Sequence, residues 1–136
     1  MINFKNILYP IDLDSDNVSS LIKALEFAQM FNAQVHILYI NDSQAGYRHP
    51  MDREEAVAIK VREIAPAELL EQAKITYAVS KGNLDSEIVK YSRENNIDLI
   101  ITGHKRRNKL YYALFSSPDE NIIDTINFPV LVIPEN

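Results

Sequence analysis

Three stretches of this chain place polar residues directly behind apolar runs. The first ends Pro10-Ile11-Asp12, the second Ile40-Asn41-Asp42, and the third starts at Gly103 and runs through His104, Lys105, Arg106, Arg107 and Lys109 to Ser116 and Ser117. If the runs are neighbouring strands of a parallel sheet, the three polar ends meet at its carboxyl edge, where such sheets bind ligands. Catalysis has little to work with. His104 has no nucleophile or acid fixed beside it in sequence, and reads as polar packing rather than as a general base. The chain has no cysteine, and His36, His49 and His104 stand far apart, so thiolate chemistry is excluded and no metal site is expected. The basic run 105–109 reads as a solvated loop, with an anionic partner or nucleic acid as its alternative. Tyr111, Tyr112 and Phe115 read as its anchor on the sheet, with a partner-binding patch as theirs.

The elements that would position these residues follow from hydrophobic pattern. Asn3 to Asp12 is a continuous apolar run, as for a strand buried on both faces, and Pro10 withholds one ladder hydrogen bond near its end. Val18, Leu21, Ile22, Leu25, Ala28 and Met30 recur at helical spacing, and the helix should stop near Phe31-Asn32. Gln34 to Ile40 is the second strand. A helix from about Asp52 uses Ala56, Ile59, Ile64 and Leu69-Leu70, and Pro66 should break or kink it. Ile75 to Ser80 alternates like a less buried strand, Lys81-Gly82-Asn83 is a turn, and a helix follows to Glu94-Asn95-Asn96. Ile97 to Thr102 is the fourth strand, Gly103 to Ser117 a polar and aromatic segment, Pro118 to Ile126 a short helix, and Pro129 to Ile133 the last strand. Strand and helix alternate throughout, which implies right-handed crossovers and a parallel sheet covered on both faces.

At 136 residues, 46% hydrophobic and 24% charged, the chain reads as one domain, 1–136, with a single protein-sized core. A net charge of −5 argues against general nucleic-acid binding, which needs a basic footprint. No apolar stretch reaches the roughly 18 residues of a membrane span, and the start lacks a signal-peptide layout, so a cytoplasmic location is expected. If Pro129 to Ile133 lies at the sheet edge, its β-prone side chains and open backbone invite pairing with a second copy about a two-fold axis; shielding by the 105–115 loop is the alternative.

The segments ILYPIDLDSDN, HILYI, IDLIITGHK and FSSPDENIIDTINFPVLVIP, in order and over essentially the whole chain, resemble the universal stress protein family, its A-type members above all. The resemblance implies a five-stranded parallel sheet in the order 3-2-1-4-5, of Rossmann-like, adenine nucleotide alpha hydrolase-like type, and a homodimer through the last strand. ATP-binding members of that family carry Gly-x2-Gly-x9-Gly-Ser/Thr after the fourth strand. Here Gly103 matches the first glycine and Ser117 the final hydroxyl, while Arg106 and Ser116 replace the other two glycines. Side chains there obstruct backbone approach to a phosphate, and Pro118 has no N–H to donate. Two lost charge-assisted hydrogen bonds would weaken a micromolar site by roughly 3–6 kcal/mol, towards or past millimolar.

Asp12 matches the family's adenosine-binding Asp but, given the damaged glycine pattern, reads first as a strand-end acid capping the turn into the first helix. Ser117-Pro118-Asp119-Glu120 makes a capping box that is complete without a phosphate, its acids occupying the positive helix terminus. The expectation is therefore a dimeric, non-enzymatic stress-response protein with no cofactor. The alternative is weak ATP or AMP binding by Asp12, Ile40, Gly103, Arg106, Ser116 and Ser117.

Overall fold

The computed structural model describes residues 3–11, 18–41, 54–104, 113–114 and 122–134. The chain runs β1 (Asn6–Ile11), α1 (Val18–Phe31), β2 (Gln34–Asn41), α2 (Glu54–Ile64), α3 (Ala67–Gln72), β3 (Lys74–Lys81), α4 (Leu84–Glu94), β4 (Leu99–His104), α5 (Ile122–Thr125) and β5 (Val130–Pro134). All neighbouring strands are parallel, and the sheet order is β3-β2-β1-β4-β5, as the family resemblance implies.

Alternate residues of each central strand feed two cores. Ile7, Tyr9 and Ile11 of β1 face Leu21, Leu25 and Ala28 of α1 and Val57 and Val61 of α2. Leu8, Leu38, Ile40 and Ile100 face the other way, onto Ile88 of α4 and Ile122 of α5. Strands buried on both faces need apolar side chains at every position, which is why β1 and β2 read as continuous runs. Ala113 and Leu114 are helical and buried in this second core, although they lie within the segment read as polar and aromatic.

The helix ends are where the sequence placed them, for a shared reason. Asn32 and Asn96 take positive φ (54° and 53°), and the next N–H reaches back into the helix, from Ala33 to the Ala28 carbonyl and from Ile97 to the Ser92 carbonyl. This is a helix stop in which Asn stands where glycine is commonest. Pro66 splits the second helical region as expected: α2 ends at Ile64, and the Pro66 carbonyl accepts from Leu69 and Leu70 at the start of α3. Met30 and Ile59 differ from their reading as core positions, at 79% and 45% exposure. Each stands two residues from a buried neighbour, Ala28 or Val57, and two helical residues turn about 200° to the opposite face.

β4 starts later than the apolar run suggests and ends later too, taking in Gly103 and His104. Ile97 is spent closing α4, and Asp98 on a clamp with the start of β1. Its N–H donates to the Asn6 carbonyl (2.9 Å), while its carboxylate accepts from the N–H of Lys5 (2.9 Å) and of Asn6 (3.3 Å). A second polar pin fixes α4 to the sheet. His36, buried on β2, meets the Tyr91 hydroxyl through Nδ1 (2.8 Å) and the Asn6 side-chain oxygen through Nε2 (3.1 Å). Burial holds the His36 pKa below the ordinary 6.5 and raises that of Tyr91.

Asp98→Ala leaves two backbone donors without their acceptor and should lower unfolding free energy in urea by about 1–3 kcal/mol. A loss within error would remove the clamp from the list of stabilising contacts. The unfolded chain protonates His36 near pH 6.5, above the lowered folded pKa, so its contribution is full above pH 6.5 and declines as pH falls from there to the folded value. The stability of His36→Gln should therefore depend less on pH between 7.5 and 5 than that of the parent; parallel curves would refute the assignment.

Candidate functional site

The central strand treats its two neighbours unequally. β1 keeps register with β2 over six pairs, from Asn6↔Gln34 to Ile11↔Tyr39, but with β4 over two, Ile7↔Leu99 and Leu8↔Ile100. The Lys5 carbonyl accepts from Gln34 of β2, and the Asn6 carbonyl from Asp98 beside β4. A strand alternates the direction of its backbone groups, so position 10, like Asn6 and Leu8, turns toward β4. Position 10 is proline, and has no N–H to give. The expected loss of a ladder bond thus falls on the β4 side alone, and β1 continues beside β2. Past Leu8↔Ile100 the two strands part, at the place where the strand order reverses.

Ile40 and Gly103 flank this opening. The side chain of Ile40 is buried in the second core, so only its backbone can serve a ligand. By the alternation that the Gln34-to-Lys5 bond sets, that backbone faces β1. Gly103 is buried within β4 and pairs with Ile133. Ile100 donates to Pro129 on the β5 side, so Gly103, three residues on, turns its backbone the other way, toward β1. The two candidate residues thus aim their main chains at the carboxyl end of β1, just before Asp12. Gly103 is part of a strand, not of a loop, and positive φ among the described glycines belongs to Gly82 (142°). Asp12, Arg106, Ser116 and Ser117 lie outside the described residues, as do Pro118 and the basic run 105–109.

Sequence reasoning missed two features of this end of the sheet. Tyr9 and Ser20 share a buried hydrogen bond of 2.7 Å, which ties the first turn of α1 to β1 on either side of segment 12–17. A tyrosine inside an Ile/Leu run and a serine beside Leu21 were the visible signs; no local pattern pairs them. Thr102, also buried, donates its hydroxyl to the Gly103 carbonyl (3.3 Å). Among the described residues, no group of three His, Asp or Glu could hold a metal ion, and no helix is long and apolar enough to cross a membrane.

A parallel sheet in this order, with its crevice beside β1, defines a Rossmann-like α/β protein of the adenine nucleotide alpha hydrolase-like type. The chain belongs to the universal stress protein family, whose profile matches residues 3–134. It is 28% identical to universal stress protein A of Buchnera aphidicola, covering 98% of this chain and 99% of that one. Among solved structures, universal stress protein UspA from Lactobacillus plantarum superposes with a TM-score of 0.70 at 25% identity, covering 98% and 99% of the two chains. A universal stress protein in complex with cAMP shares the fold, with a TM-score of 0.68 at 15% identity and 98% of each chain covered.

Proposed function

We propose that this chain is a cytoplasmic, dimeric stress-response protein that works by binding protein partners, without turnover and without strong ATP affinity. Stress response comes from the family it belongs to. The observation that carries the lack of strong ATP affinity is the family's phosphate-binding motif, where Gly103 is kept while Arg106 and Ser116 stand in place of glycines and Pro118 follows. Backbone N–H groups hold a triphosphate only if the chain can approach it closely, and side chains at two of the three approach points prevent that.

A second reading keeps the crevice as a weak nucleotide site. The convergence of Ile40 and Gly103 on the end of β1 favours it, as does the fold shared with a protein that carries cAMP. Asp12 would then hold the nucleoside, and Arg106 with Ser116 and Ser117 the phosphate. Titration with ATP, ADP and AMP separates the two. The first reading expects no saturable binding below about 1 mM, and an Arg106→Gly/Ser116→Gly variant that gains affinity by roughly 100-fold or more. Clear thermal stabilisation of the parent chain by millimolar Mg-ATP, lost in Asp12→Ala, would establish the second reading instead.

The dimer is proposed through β5. It is an outer strand, Val130–Pro134 carries no charge, and Leu131 is 37% exposed. The Pro129 carbonyl accepts from Ile100 of β4, so Val130 and Val132 turn their backbone groups to the open side. Val132→Pro removes an outward donor and spares the ladder to β4, and proline is tolerated on an edge. Sedimentation should show a dimeric parent and a monomeric, folded variant; a monomeric parent would overturn the assembly.

A further inference from the structure

α4 and α5 leave a half-open groove of about 620 Å³ between them, built from residues that belong to neither the crevice nor a sheet edge. Its volume falls within the range of roughly 300–1,000 Å³ usual for small-molecule sites. The apolar lining is Val89 and Ile122, the latter part of the second core. The rest of the described lining is polar: the hydroxyls of Ser86 and Thr125 and the charges of Asp85, Lys90, Arg93 and Glu94.

The charges are not equivalent. Asp85 accepts the N–H of Ser86 at 2.9 Å and is committed to the start of its own helix. Glu94 is the last residue of α4. Lys90 and Arg93 lie between them along the axis, three residues apart and so on one face. Neither is engaged by a carboxylate or carbonyl among the described residues. Two cations that form no ion pair among the described residues, set beside an apolar lining, suit a ligand of opposite design. We infer that the α4–α5 groove binds a small carboxylate or sulfonate carried on an apolar body, the anion held between Lys90 and the planar fork of Arg93 and the body lying on Val89 and Ile122.

The test uses the full chain and anilinonaphthalene sulfonate, whose fluorescence rises in an apolar site. Saturable one-to-one binding is expected, weakened by salt and displaced by decanoate. Lys90→Ala/Arg93→Ala should weaken it at least tenfold, because two charge-assisted contacts go at once. Val89→Asp should remove it by placing a charge on the apolar lining. Lys90 and Arg93 are exposed, so the double variant should retain the parent's cooperative thermal unfolding. Absence of saturable binding by the parent chain, or equal affinity in parent and double variant, overturns the assignment. The second result would place the dye elsewhere, for instance on the half-buried rings of Phe4, Phe27 and Phe31. The groove shares no residue with the nucleotide crevice, so neither outcome bears on the function proposed above.

Discussion

Everything at the carboxyl edge follows from how β1 divides its backbone hydrogen bonds between two neighbours. Odd positions serve β2 without interruption; even positions serve β4 and run out of donors at Pro10. At the other end of the strand the Asp98 carboxylate accepts the N–H groups of Lys5 and Asn6. One end of the β1–β4 seam is thus locked and the other left open. A crevice in this position needs no strained backbone, only one residue type that cannot donate.

The locked end carries a polar network of its own inside the sheet. His36 joins β1, β2 and α4 through Asn6 and Tyr91, and its ring meets the Tyr91 ring edge-on at 5.6 Å between centroids. A neutral imidazole satisfies one donor and one acceptor there, and burial favours that form. Polar atoms that leave water are tolerable only when so paired.

What the sequence disclosed divides along the range of the interaction. Strand and helix types, the stop at Asn32, the stop at Asn96 and the break at Pro66 depend on residues within a few positions, and they read directly. The sheet order became legible through family likeness, not through spacing. Contacts across the fold stayed hidden. Lys5 and Asp98 are 93 residues apart and His36 and Tyr91 are 55 apart, so no local window joins them. The same ignorance misplaced the start of β4, because the job Asp98 performs depends on a distant strand. Of the candidate site, Ile40 and Gly103 were found as positions, but the direction of their backbones required the register of the whole sheet. The lining of the α4–α5 groove was invisible for a related reason: Lys90 and Arg93 look like any solvated helix face until α5 is set beside them.

The two outer strands are dressed differently. β3 carries a lysine at each end, Lys74 and Lys81, and β5 none. A strand added along β3 would have to accommodate cations at both of its ends, whereas one added along β5 would meet only apolar side chains and main chain. The two rims of the sheet therefore offer an incoming strand different surroundings. If a second copy pairs through β5, as proposed above, addition closes at the pair, and the two ammonium groups on β3 stand against a polymer of sheets.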